Sequence, residues 1–287
     1  MKFSIILPSH FESRDIRSLL ESHWLVPRKV RHFLRSRKNV LVNGEVKMFH
    51  ELVHAGDKIT LIFEPSDYST PDILPGDKQL VQTIVEDEHL IIVEKPVKMK
   101  THPNQPDEND TLLNHLADYL AEKNQIPYVV HRLDKETSGL ILFAKNPFIL
   151  PILGRMMEQK SIKRVYQAIA QGEIKQENFT ISEKIGRDRH DKRKRIIDNR
   201  RGQYAETNVT VHKKTKQQSF LTCSLATGRT HQIRVHLQSI GHPVIGDPLY
   251  NPSFQKAHRL MLHAHELSFI HPLTEEQIHA QSTFSLW

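Results

Sequence analysis

The chain has 287 residues, 38% of them hydrophobic, and a formal net charge of +7. That is enough for one large domain, or a large domain with a small one, and for a sizeable core. No stretch approaches the roughly 18 consecutive apolar residues of a membrane helix, Met1 to Pro8 lacks a signal peptide's apolar length and cleavage site, and the single cysteine excludes an internal disulfide or a Cys-x-x-Cys motif; a soluble, cytoplasmic protein is expected.

In chain order, the first element is a short amphipathic helix. Val26, Val30, Phe33 and Leu34 recur at helical spacing, and Pro27 suits a first helical position. Arg28, Arg31 and Arg35 then share another face. A strand, Val40-Leu41-Val42, meets the tight-turn pair Asn43-Gly44. Gly56-Asp57 makes a second turn before Lys58 to Phe63, which alternates like a strand. Residues 1–64 are therefore expected to form a small α+β module. Residues 65–79 hold three prolines and no apolar period, as a linker would.

From residue 80 onward strands are expected over 81–85, 90–93, 128–130, 140–144, 165–170, 207–211, 220–225 and 260–269. Helices are expected over 111–123 and 147–159. Many strands and few helices predict an α+β second domain over 80–287, with a mixed, mainly antiparallel sheet. Cys223 alternates with Leu221 and Leu225, as on the buried face of a strand.

Positive charge is clustered. Pro27 to Lys38 carries Arg28, Lys29, Arg31, Arg35, Arg37 and Lys38 with no acid. Arg187 to Arg201 carries Arg187, Arg189, Lys192, Arg193, Lys194, Arg195, Arg200 and Arg201 against three aspartates. One such run reads as a solvated face. Two of them favour a nucleic-acid partner, because phosphate binding needs clustered cations.

Three constellations carry possible chemistry. In Tyr128 to Lys145, two apolar segments flank the polar loop His131-Arg132-Leu133-Asp134-Lys135-Glu136-Thr137-Ser138. A carboxylate there can be a nucleophile, a base, a metal ligand or a turn-former, and spacing alone favours a turn bonded to Thr137 and Ser138. Thr227 to Leu237 reads as a tight turn at Gly228, then a helix capped by Thr230 that buries Ile233, Leu237 and Ile240 and ends at Gly241. Arg234 lies off that apolar stripe. Tyr166 falls within a strand, where it is either core or a platform for a base. His131, His231, His236, His263 and His265 invite a metal reading, but no His-Glu-x-x-His occurs and no metal site is expected. Gly-x-Gly-x-x-Gly and Gly-x-x-x-x-Gly-Lys are absent, so nucleotide cofactors have no support.

The basic helix, the Val-Asn-Gly turn and the following Gly-Asp together resemble the small RNA-binding fold of the small-subunit ribosomal protein S-four. The rest of the chain resembles the RluA/RluD-type pseudouridine synthases. The matching blocks are His131 to Lys145, Tyr166-x-Ala168-Ile169, Gly186-Arg187, Thr227 to His236, Gly241-His242-Pro243-x-x-Gly246-Asp247-Pro248-x-Tyr250, and Leu262-His263-Ala264-x-x-Leu267-x-Phe269-x-His271-Pro272. They run in family order across roughly two thirds of the chain.

The resemblance implies conversion of uridine to pseudouridine in structured RNA, most readily large-subunit ribosomal RNA and alternatively transfer RNA. It implies Asp134 as nucleophile, Arg234 as its partner and Tyr166 against the uracil. Arg132 would fill the stack that the flipped uridine leaves. His131, Arg229, Arg187, Arg193 and Arg195 would bind RNA, with Arg28, Arg31 and Arg35 in the N-terminal module. The reaction gains no electrons and loses no group, so no cofactor or metal is expected, and a monomer is. The reading from another class is a non-catalytic RNA-binding ribosome assembly factor.

Overall fold

The computed structural model describes residues 1–252 and 257–287. Alternation in Lys2–Ile6 (β1) turns Phe3 and Ile5 inward. Arg28–Ser36 (α1) buries Val30 and Leu34 and leaves Arg28 and Arg35 exposed. Val40–Val42 (β2), Glu45–Val46 (β3) and Lys58–Ile62 (β4) join β1 in a four-stranded sheet of order β1-β4-β2-β3. Between β2 and β3 both Asn43 (φ 52) and Gly44 (φ 91) are left-handed, as a two-residue hairpin turn requires. β1 and the helical turns over Ile16–His23 had no periodic signal long enough to predict them.

The second sheet is built from Gln82–Glu86 (β5), Leu90–Lys95 (β6), Ser138–Ala144 (β7), Lys163–Gln171 (β8), Asn178–Arg187 (β9), Arg195–Ile197 (β10), Gln203–Lys214 (β11), Gln218–Leu225 (β12), Leu262–Ile270 (β13) and Gln277–Gln281 (β14). Its path is β10-β9-β11-β12-β8-β13-β7-β6-β5, with β14 paired to β13 and the short strand Tyr128–Val129 paired to β7. Leu112–Ala121 (α2), Ile149–Glu158 (α3) and Gln232–Ser239 (α4) pack around it. The fold is α+β with a mixed, mainly antiparallel sheet, as predicted. Cys223 is fully buried on β12, and burial pushes its thiol up to about 12.

Within this sheet, among the described residues, the one parallel pairing is β7 with β13, over Ser138↔His263 and Gly139↔Ala264. It lies where the Asp134 loop enters the sheet. The strands approach so closely that a Cβ at Gly139 would collide with the Ala264 backbone, and Gly139 has φ +114. Only glycine meets both demands cheaply.

α4 ends at Gly241 (φ 83) as expected, but departs from its expected start and from the expected burial of Ile240. Thr230 does not cap it. His231 stands at the N-cap with φ 58 and no side-chain cap bond, and Ile240 is 40% exposed. The Gln232 side chain closes the preceding loop instead. Its Oε1 accepts from Arg229 N–H at 2.9 Å and from the Thr227 hydroxyl at 2.7 Å.

The two sheets share a core. Phe3 stacks on Phe148 at 5.6 Å between ring centroids, and Phe63 meets the same ring at 5.4 Å. Ile149, Ile152, Leu153 and Met156 of α3 continue into the apolar cluster formed by Leu7, Leu19, Trp24 and Leu34. Arg155 on α3 donates to Leu25 O at 2.9 Å. Each aromatic or aliphatic side chain buried here contributes about 1.5–3 kcal/mol.

Candidate active site

The loop between Tyr128–Val129 and β7 is fixed from several sides. His131 Nε2 accepts from Leu142 N–H at 3.1 Å. Leu133 points inward, and Thr101 grips it both ways: its hydroxyl donates to Leu133 O at 2.9 Å and accepts from Leu133 N–H at 3.2 Å. Lys95, fully buried at the end of β6, donates to Met99 O at 2.7 Å, Pro96 O at 2.9 Å and Lys135 O at 3.2 Å. Burial pulls its ammonium down to about 7, against the attraction of Asp134. Ser138 Oγ and His263 Nδ1 are 2.8 Å apart at the start of β7.

This scaffold leaves the Asp134 carboxylate free of its own loop. Thr137 N–H donates to the Asp134 backbone carbonyl at 3.1 Å, not to the side chain. The Asp134 Oδ2 atom instead accepts from Arg234 at 3.0 Å. Loops joined to rigid strands in this way are where functional groups concentrate.

Arg234 is 2% exposed, so a polar face for α4 is not what the fold supplies. Its charge is matched internally. Nε and NH2 reach Asp247 Oδ2 and Oδ1 at 2.7 and 2.8 Å, a two-pronged pair, and NH1 reaches Asp134. Burial works against the guanidinium charge, but Asp247 and then Asp134 outweigh it and raise the Arg234 pKa above its ordinary value. Asp247 is itself oriented by Leu249 and Tyr250 N–H groups at 2.9 and 3.0 Å. Gly246 beside it has φ +73, and a Cβ there would strike the Arg259 carbonyl.

Tyr166 enters the same cavity from β8, at a break in register between Val165 and Tyr166 on the β13 side. Such bulges re-aim a side chain and are common beside active sites. Burial raises the Tyr166 phenol above its usual pKa. Asp134, Arg132, Tyr166, Arg229, His231 and Arg234 line a cavity of about 60 Å³. That holds a few waters and not a nucleotide. It opens beside a groove of about 710 Å³ that shares Arg132, Asp134 and Arg229 and adds Lys160 and Arg164.

Asp134, Arg234, Tyr166, Arg132 and Arg229, distant in sequence, thus meet at one site. Arg187 and Arg193 are exposed on the hairpin that joins β9 to β10, and Arg193 is paired to Asp191 at 2.8 Å. Arg195 turns its guanidinium to Lys194 O at 2.9 Å, while its backbone N–H reaches Tyr250 Oη at 2.8 Å. Arg28, Arg31 and Arg35 line a separate groove of about 900 Å³ with Arg17, Lys29 and His32. Arg31 is tied there to Glu21.

His131 lines the groove beside Asp134, but its ring is largely turned to the scaffold. It is 9% exposed and committed to Leu142, and burial lowers its pKa to about 3. Among the described residues no group of three or more His, Cys, Asp or Glu is placed to hold a metal ion, and no helix is long and apolar enough to cross a membrane. Lys95, His231, Asp247 and Tyr250 were not expected as site residues. The sequence signal for the last two was the turn Gly246-Asp247-Pro248-x-Tyr250.

Residues 89–239 match the family described as RNA pseudouridylate synthase, and residues 3–59 match the RluD ribosomal pseudouridine synthase N-terminal domain. An uncharacterised RNA pseudouridine synthase of Bacillus subtilis (strain 168) is 38% identical over 254 residues, covering 87% of this chain and 82% of that one. Ribosomal large subunit pseudouridine synthase D of Neisseria meningitidis serogroup B is 34% identical over 253 residues, covering 83% and 67%. Among solved structures, human RNA pseudouridylate synthase domain containing 1 superposes with a TM-score of 0.61 at 25% identity, over 74% of this chain and 86% of that one.

Proposed function

The chain belongs to the RNA pseudouridylate synthase family, and from that premise we propose that Asp134 is the nucleophile with which this RNA pseudouridine synthase isomerises uridine. The observation that carries this is the Asp134–Arg234 contact at 3.0 Å, made by an arginine that is otherwise buried and paired with Asp247. One carboxylate oxygen is held, and the carboxylate stays oriented toward a cavity lined by Tyr166. A carboxylate fixed in this way can attack or stabilise the electron-poor centre formed as the glycosidic bond breaks.

Tyr166, kept as a neutral phenol by burial, supplies a face for the uracil. The small cavity receives a base only after it leaves its helix, at a few kcal/mol of lost stacking. Arg132, exposed beside Asp134, is positioned to fill the vacated stack. Arg229 and the hairpin arginines Arg187, Arg193 and Arg195 hold flanking phosphates. Arg28, Arg31 and Arg35 do the same in the N-terminal module. The isomerisation breaks C1′–N1 and forms C1′–C5, releases the C5 proton to solvent and takes up one at N1, so its balance calls for no cofactor.

Large-subunit ribosomal RNA is the substrate favoured by the relatives named for it and by the N-terminal match. Asp134→Asn is expected to abolish tritium release from RNA labelled at uridine C5, while RNA binding stays within a few-fold. Full turnover by that variant would sink the assignment. The same assay on large-subunit and transfer RNA transcripts separates the two substrates, and binding to both with no release at any uridine marks a non-catalytic binder.

A further inference from the structure

Asp134 Oδ2 faces a second nitrogen besides Arg234. His231 Nε2 lies 3.7 Å from it, on a side chain only 12% exposed. This ring is held with unusual care. His231 has φ 58, a left-handed backbone for a residue with a Cβ, at the first position before α4. Conformations of this kind are strained and persist where the surroundings dictate them. Its Nδ1 is 2.8 Å from Tyr250 Oη, and the two rings pack edge to face at 5.6 Å.

The bond at the far end of this chain favours one set of hydrogen-bond directions along it. Arg195 N–H donates to Tyr250 Oη at 2.8 Å. His231 Nδ1 is the acceptor within reach of the hydroxyl's own proton, which favours Nδ1 as the accepting nitrogen. In the neutral ring the remaining proton sits on Nε2, the atom that faces Asp134. Burial lowers the His231 pKa, more than Asp134 raises it. The groups facing the ring are Asp134 from its loop, Arg234 from α4, Asp247 and Tyr250 from the turn after α4, and Arg195 from β10.

We propose that His231 is a positioning residue for Asp134, locked as the Nε2–H tautomer by a relay from the Arg195 backbone through Tyr250. This rests on the reading of Asp134 as nucleophile. A neutral donor suits the place better than a second cation. Arg234 already supplies the charge, and the imidazole adds direction without a repulsive neighbour. With Oδ2 shared between Arg234 and His231, Oδ1 is the oxygen left to face the sugar. The 3.7 Å gap is just beyond hydrogen-bond length, and apo catalytic contacts of this kind tighten when substrate seats.

The test uses Tyr250→Phe, which keeps the ring packed under Arg234 and removes only the hydroxyl. Single-turnover tritium release should fall about tenfold, the worth of one hydrogen bond in an organised site, with RNA affinity unchanged. His231→Ala should fall by about tenfold to a hundredfold on the same grounds. Adding Tyr250→Phe to it should cost nothing more, and His231→Gln, with an amide donor, should recover much of the rate. Losses that multiply, losses seen in RNA affinity in place of rate, or unchanged rates would each overturn the relay. Asp134→Asn run alongside separates the two readings. If it is inactive while the relay variants are normal, only the relay fails; if it is active, the nucleophile reading fails beneath it.

Discussion

At the scale of single residues, the site depends on an arginine that is stable in the interior only because two carboxylates meet it. Removing one partner of a buried pair leaves an uncompensated charge, which costs about 3–5 kcal/mol. Asp247→Ala should therefore lower unfolding free energy by that order and abolish turnover with it, as read by urea denaturation and tritium release. Asp247→Asn, which keeps the shape and one acceptor, should fall between. A stable Asp247→Ala protein would contradict this account of Arg234. The same residues show how far sequence reading reaches. Spacing alone reads Asp134 as a loop-former, because nothing local announces a carboxylate that turns away from its own loop. Arg234 fell off the apolar stripe of its helix, which was correct, yet it is buried. Its partner Asp247 is thirteen positions on and meets it only through the turn at Gly246.

At the scale of elements, three local irregularities aim the site: the Val165/Tyr166 bulge, the close parallel approach at Gly139, and the left-handed entry to α4. Long periodic segments of the central sheet were legible, and their boundaries moved by a few residues. Strands β9, β10 and β14 were missed: β10 and β14 are short edge strands, and β9 sets Phe179, Ile181 and Ile185 among polar neighbours without the sustained apolar alternation that marks a half-buried strand. The basic hairpin at that edge bears on binding. Arg187→Gln with Arg189→Gln should weaken RNA affinity evenly across sequences. It should also reduce the slope of log affinity against log salt by about 0.7–0.9 for each phosphate that is no longer neutralised. Binding titrations over a salt series measure this, and an unchanged slope would remove the hairpin from the interface.

At the scale of the whole molecule, acid sensitivity follows from buried neutral histidines. Burial holds His131 and His263 down to about 3, against an ordinary value of 6.5. Between those values the unfolded chain binds protons that the folded chain does not. Their contribution is therefore complete above about 6.5 and is lost as pH falls toward 3. Each fully titrating histidine adds a slope of about 1.4 kcal/mol per pH unit in that window. His131→Gln should flatten the pH dependence of unfolding free energy by one such increment, measured by urea melts from about pH 7 to about pH 4. An unaltered slope would mean that the ring is not held neutral. Sequence reading separated an N-terminal module at residue 64, and composition gave no hint that aromatic residues of that module and Phe148 close on one another. Such packing depends on how two surfaces complement each other, and neither surface is periodic enough to reveal its partner.

That joint core has a metric consequence. The helix whose buried face anchors the N-terminal module also lends Met157 and Glu158 to the wall of the groove beside Asp134. The basic groove of the module and the reactive carboxylate are thus mounted on one frame at a set separation. With RNA seated on both as proposed above, a protein built this way would work as a caliper. RNA that touches both jaws at once gains the effective concentration of a tethered ligand, and RNA that touches one does not. On the RNA contacts proposed above, selection among many chemically identical uridines would become a matter of span along a folded RNA, measured by the width of the tool.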